Sequence, residues 1–215
     1  MDTERRYTPV PVELRVQGDK RSIGGYAAVF DRESDNLGGF VEKVSPAFFN
    51  QTRGRGWPDV IARYNHDDNM LLGTTASGTL RLSIDETGLV YEVDPPLARA
   101  DIMELVERGD VRKSSFAFRT YEDEWSTTDQ GFPLRILVSG QLVDVAPVNM
   151  PAYSDTTVGL RSLAVKVDGD IEEIRKLAAN NELRKLFVRS DGPAPRPRVT
   201  GYAALLELKG KKTPA

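Results

Sequence analysis

Cysteine is absent from the 215-residue chain, which excludes disulfides, thiolate nucleophiles, iron–sulfur clusters and every cysteine-based zinc site. Histidine occurs once, as His66. A mechanism that needs two imidazoles from one chain is therefore excluded, as is a histidine-rich metal centre. Only an all-oxygen Ca²⁺ or Mg²⁺ site or a histidine-plus-carboxylate site could be built. No stretch approaches the roughly 18 apolar residues of a spanning helix. The opening MDTERRYTPV lacks the apolar core of a signal peptide, so a cytoplasmic location is expected. Excess positive charge is also missing: 29 Lys/Arg stand against 32 Asp/Glu, a net −3, a poor basis for holding nucleic acid.

What is present points to a folded domain with a distinct tail. A 40% hydrophobic content is that of a globular chain, not a disordered, collagen-like or coiled-coil one. Residues 163–215 carry 11 Lys/Arg against 7 Asp/Glu, and residues 1–162 carry 18 against 25. The boundary is accordingly set at 162/163. The basic excess of the tail reads as a solvated surface or, alternatively, as a contact for an acidic partner.

Residues 1–162 read mainly as β-structure. Val12, Leu14 and Val16 alternate with polar residues, the period-2 pattern of a half-buried strand. Residues 23–30 give a second strand, in which Gly24-Gly25 marks a bend or a close backbone approach. Ser45-Pro46 supplies an N-cap and a first-turn proline for a short helix, and residues 60–65 form a short strand leading into His66. Residues 79–84 and 89–93, parted by Asp85-Glu86-Thr87-Gly88, predict a hairpin. Residues 98–108 predict a helix with Ile102, Leu105 and Val106 on one side and Gly109 as its stop. A strand over 115–121 follows, then a loop through Trp125, then a hairpin of 134–138 and 142–148 across Ser139-Gly140. About seven short strands with two helices among them predict an α+β, mainly β fold, a closed or nearly closed antiparallel β-barrel flanked by helices. In the tail, residues 171–188 predict an amphipathic helix. Residues 191–198 (DGPAPRPR) predict an extended Pro-rich linker, and residues 200–208 are apolar enough to dock on another surface.

Three residues stand out chemically. His66 lies in Tyr64-Asn65-His66-Asp67-Asp68, where a strand gives way to a polar loop. It reads as a structural or exposed side chain, or as a catalytic base. Adjacent acids on a turn are ordinarily solvated, so no metal and no cofactor are expected. Ser115, in Lys113-Ser114-Ser115-Phe116-Ala117-Phe118, sits on the strand face opposite Phe116 and Phe118. It is a strand-end cap or a nucleophile, and a nucleophilic serine needs a base. Asp144 interrupts the apolar run Leu142-Val143-Asp144-Val145-Ala146, a costly place for a carboxylate without a partner. It reads as an ion pair with an arginine, as a bulge residue facing solvent, or as the acid that orients an imidazole.

The motifs taken in order are distinctive. Gly25-Tyr26-Ala27-Ala28-Val29-Phe30, Asn65-His66-Asp67, Leu72-Gly73-Thr74 and Gly78-Thr79-Leu80-Arg81-Leu82 come first. Glu107-Arg108-Gly109-Asp110-Val111, Ser115-Phe116-Ala117-Phe118, and Leu142-Val143-Asp144-Val145 leading into Pro151-Ala152-Tyr153 follow. This series resembles the prohead (capsid-maturation) serine protease family of tailed bacteriophages over about residues 23–162. The resemblance implies a fold like the herpesvirus assembly protease and a Ser/His mechanism. The family's histidine falls on His66, its serine on Ser115, and its late acidic position on Asp144. Two positions differ from the family's frequent pattern: Lys113-Ser114 stands where Gly-Met often precedes the serine, and Ala117 where Gly often follows it. Ser114 is thereby a second hydroxyl, which strand alternation turns to the other face.

The implied function is a serine endopeptidase that cuts scaffolding segments of capsid proteins, and itself, during prohead maturation. It would work in the bacterial cytoplasm and the immature capsid. The expected partners are the major capsid protein or its scaffolding segment as substrate and further copies of the chain, with no nucleic acid and no membrane. Self-cleavage would fall at 191–198 or 163–169. The alternatives are a non-catalytic capsid-assembly factor of the same barrel fold, or an unrelated binding module in which His66 and Ser115 need not be neighbours.

Overall fold

Turn chemistry and alternation build most of the strands. In the computed structural model, which describes residues 2–18, 20–149 and 157–187, Asp85 closes the hairpin of β7 (Leu80–Ile84) and β8 (Gly88–Val93). Its side chain accepts from Thr87 N at 2.8 Å and Gly88 N at 3.0 Å, an Asx-type turn. β8 pairs with β3 (Lys20–Val29), and β3 with β2 (Glu13–Gln17), giving a sheet ordered β2-β3-β8-β7. Gly24 permits that packing, since a Cβ there would lie 2.9 Å from the Tyr91 carbonyl.

The second sheet has the order β1-β9-β10-β5-β6, with β4 (Val41–Val44) also paired to β10. Its members are β1 (Glu4–Pro11), β5 (Ile61–Arg63), β6 (Leu71–Thr74), β9 (Lys113–Thr127) and β10 (Pro133–Val148). The architecture is mainly β with a few helices, but the expected barrel of about seven strands is not closed. Among the described residues ten strands form two separate ladders that face each other across one apolar core, joined by a single bridge from Phe30 to Val44. Nor is the pairing antiparallel throughout: β9 and β10, of 15 and 16 residues, pair antiparallel along nearly their whole length, but β4 and β5 run parallel to β10.

Two expectations fail at these strands. Trp125 lies inside β9, not in a loop, and packs edge-on against Phe40 at 5.0 Å. Residues 134–148 are one strand, not a hairpin. Ser139-Gly140 marks a bulge where the register with β9 shifts. Gly140 provides space there, because a Cβ would lie 2.2 Å from the Phe48 ring and 2.7 Å from the Arg119 carbonyl.

Between the sheets, Phe48, Phe49, Phe116 and Phe118 pack together, with Phe116 and Phe118 stacked at 4.9 Å and Phe48 edge-on to Phe118 at 5.4 Å. The short helix α1 (Asn50–Gly54) starts after Ser45-Pro46, whose hydroxyl caps only a turn through Ala47 N. The helix expected over 98–108 is a 3₁₀ turn followed by α2 (Ala100–Glu107), ended by Gly109.

Sequence reasoning passed over β1, whose text ERRYTPVP is polar. Its inward residues enter a buried ion network. Arg135, fully buried, donates to Glu4 Oε2 at 2.6 Å, Glu42 Oε2 at 3.0 Å and Asp123 Oδ2 at 2.6 Å. Arg6 donates to Glu42 Oε1 and Glu4 Oε2, each at 2.8 Å. Charges bury tolerably when every one is paired, and here the pairing fastens β1 to β4, β9 and β10.

Helix α3 (Thr157–Lys166) runs across position 162 and, with α4 (Ile171–Ala179), forms a second apolar cluster. Leu160, Leu163, Ile174 and Leu183 pack there with Leu37, Phe40 and Trp125. The Asp170 side chain caps α4 by accepting from Glu172 N and Glu173 N. The helix expected over 171–188 stops at Ala179, turns at Asn181 (φ 55°) and resumes as a 3₁₀ turn, Leu183–Leu186. Pro151-Ala152-Tyr153, the linker at 191–198 and the segment at 200–208 lie outside the described residues.

Candidate active site

The centre of the six-stranded sheet presents β9 and β10 side by side, with Ser115 opposite Ala146 and Ala117 opposite Asp144. Alternation along β9 turns Ser114, Phe116 and Phe118 toward the core, where Ser114 Oγ lies 3.0 Å from Tyr91 Oη. Ser115 takes the other face. Here β5 ends and the chain folds back through the 3₁₀ turn Tyr64–His66, in which Asn65 (φ 52°) and His66 (φ 57°) are both left-handed. Such backbone is unfavourable for a residue with a side chain, by about 1–2 kcal/mol, and tends to persist where surrounding structure enforces it. Two bonds enforce it: Asn65 Oδ1 accepts from Asn149 N at 3.1 Å, and Tyr64 N donates to Met70 O at 3.0 Å.

That turn lays the imidazole between the strand residues. His66 Nε2 is 2.7 Å from Ser115 Oγ, and His66 Nδ1 is 2.5 Å from Asp144 Oδ1. The three residues predicted from sequence are thus brought together, 49 and 78 positions apart along the chain. Asp144 meets an arginine and the imidazole at once. While Oδ1 meets the imidazole, Oδ2 accepts from Arg63 Nε at 3.0 Å and also from Arg63 Nη2. Asp144 is fully buried. Burial alone would raise its pKa, but the hydrogen bond and charge of His66 and the Arg63 guanidinium outweigh it and hold the carboxyl below its ordinary value.

An ionised carboxylate accepts only, so His66 Nδ1 carries a hydrogen, and in the neutral ring Nε2 is then an acceptor. The Ser115 hydroxyl therefore has two acceptors for one hydrogen, His66 Nε2 and the Arg6 carbonyl at 2.8 Å. Such a chain can pass the hydroxyl proton to the imidazole as the oxygen attacks a carbonyl.

The acids beside His66 are otherwise engaged. Asp68 pairs with Arg63, and Asp67 accepts from Asn69 N at 2.8 Å to close its own turn. Sequence reasoning missed Arg63, Asn65 and the Arg6 carbonyl. A signal existed for Arg63 alone, because a carboxylate in an apolar strand requires a cation and Arg63 ends the strand preceding His66.

A hydroxyl, an imidazole and a buried carboxylate linked in series have the chemistry that serine-type hydrolysis requires. Comparison by family agrees in class. The profile of caudovirus prohead serine proteases matches residues 10–168, about three-quarters of the chain, and the chain belongs to that family. It is a serine protease of capsid maturation. No curated protein and no solved structure matches the chain.

Proposed function

We propose that the chain is an endopeptidase that uses Ser115 as nucleophile, His66 as general base and acid, and Asp144 as the orienting acid. Its substrates are scaffolding segments of the capsid protein and its own chain, cut inside the immature capsid. The observation that carries this reading is the unbroken contact Ser115 Oγ–His66 Nε2–His66 Nδ1–Asp144 Oδ1, at 2.7 and 2.5 Å.

In this reading Ser115 Oγ bonds to the scissile carbonyl carbon while its hydrogen passes to His66 Nε2. The imidazolium is offset by Asp144, then protonates the departing amine, leaving an acyl-enzyme. Water, deprotonated by His66, completes hydrolysis and restores the serine. With the His66 hydrogen bond, Arg63 helps keep Asp144 ionised, and it fixes the second oxygen so that the first stays aimed at Nδ1.

Co-expression with the capsid protein tests the function. Wild type should shorten the capsid subunit at its N-terminus, and Ser115→Ala or His66→Ala should lower turnover by about 10⁵–10⁶. A fluorophosphonate adduct should map to Ser115. A full-length subunit and no adduct would instead favour an assembly factor without catalysis.

A further inference from the structure

The face of the sheet that carries Ser115 is charged, and three of its cations are without an ion pair among the described residues. Cross-strand neighbours share a face, so Tyr7, paired with Ser115, and Arg5, paired with Ala117, lie on it, as do Lys113 and Arg119 by alternation along β9. Side-chain positions agree: Lys113 Nζ sits 4.8 Å from the centre of the Tyr7 ring, and Arg119 Nε reaches only Thr3 Oγ1, at 3.5 Å. Arg5 and Arg119 are exposed and Lys113 is half-buried. Among the described residues none of the three makes an ion pair. Three acids nearby are committed elsewhere: Asp144 to Arg63 and His66, Asp68 to Arg63, and Asp35 to the Tyr7 hydroxyl at 2.6 Å.

We infer that Arg5, Lys113 and Arg119 form a cationic substrate track, and that the protease selects extended segments bearing Asp or Glu close to the cut. This deepens the function proposed above and rests on it. With a rise of about 3.4 Å per residue, Lys113 lies about 7 Å from Ser115 in one direction along β9. Arg5 and Arg119 lie about 8 and 14 Å away in the other. An extended peptide over Ser115 has the same rise, so its acids fall within about four residues of the scissile bond on either side. Charge complementarity selects this occupant.

The full chain is incubated with a complex peptide mixture and new ends are read by mass spectrometry. Asp and Glu should be enriched within four positions of the cuts. On one cleaved acidic peptide, the exposed double variant Arg5→Gln/Arg119→Gln should lose about 2- to 30-fold in kcat/KM, the sum of two exposed ion pairs. On the same peptide with its acids changed to amides it should match wild type. Added salt should narrow the first gap. Cuts without acidic enrichment, or equal losses on both peptides, would overturn the track while leaving the protease intact. Unchanged cleavage with weakened retention of a DNA oligonucleotide would reassign the face to nucleic acid. Absence of both cleavage and Ser115 labelling would remove the proposed function, and the track with it.

Discussion

Replacing Arg63 with methionine keeps the aliphatic stem and removes the two donors on Asp144 Oδ2. The Asp144 side chain is 0% exposed and that of Arg63 12%, so the orphaned oxygen has no ready access to water. Breaking a buried pair from one side costs about 3–5 kcal/mol. Asp144 keeps His66 on its other oxygen, and the lost Asp68 contact is near the surface and worth little, so we expect about 2–4 kcal/mol. Urea unfolding followed by tryptophan fluorescence, in a Ser115→Ala background, should show the midpoint falling by about 1–2 M. Acid unfolding gives a second readout. The folded pKa of Asp144 is depressed, so its contribution is present above the ordinary aspartate value and is lost as pH falls through the depressed one. Without Arg63 that value rises, and acid unfolding should begin at higher pH. Arg63→Lys restores charge without the two-donor fork and should recover only part of both effects. A urea midpoint within about 0.2 M of the parent, with an unchanged acid transition, would refute the reasoning.

Asp144→Asn should lower kcat/KM by about 10²–10⁴, and a peptide assay within a few-fold of wild type would remove Asp144 from the site. Gly140→Ala should destabilise by about 1–3 kcal/mol by driving a methyl into the Phe48 ring and the Arg119 carbonyl; an unchanged urea midpoint would contradict the packing. Arg135→Met strips the shared cation from Glu4, Glu42 and Asp123. It should cost about 3–5 kcal/mol, lowering Tm by about 6 °C or more, and a Tm within 3 °C of wild type would show the network to be dispensable. The Arg81 hydrogen bonds, against some burial and aided by Lys20, depress the Asp94 carboxyl to about 2. Its stabilisation, about 1–2 kcal/mol after allowing for partial exposure, is present above about pH 4 and lost as pH falls toward 2. Asp94→Asn should flatten stability across that interval in acid titrations.

The legible parts of the sequence were those governed by short-range rules. The Asp85–Gly88 turn, the Gly109 stop and the alternation that separates Ser114 from Ser115 depend on neighbours within a few residues. The His66 turn was readable as a place but not as a shape, since the left-handed pair at Asn65 and His66 is enforced by Asn149, far along the chain. β1 was illegible because its buried residues are charged, and only partners on other strands make Glu4 and Arg6 interior residues. Ser139-Gly140 misled because a glycine that makes room for a phenylalanine ring from residue 48 looks, locally, like one that makes a turn.

The order of synthesis acquires meaning from the placement of Asp144 on the last described strand. A chain made only as far as β9 contains Ser115 and His66 but neither the carboxylate beside the imidazole nor the strand that flanks β9 on its second side. The contact running from Ser115 through His66 to Asp144 therefore waits until Pro133–Val148 is made and zips onto its neighbour.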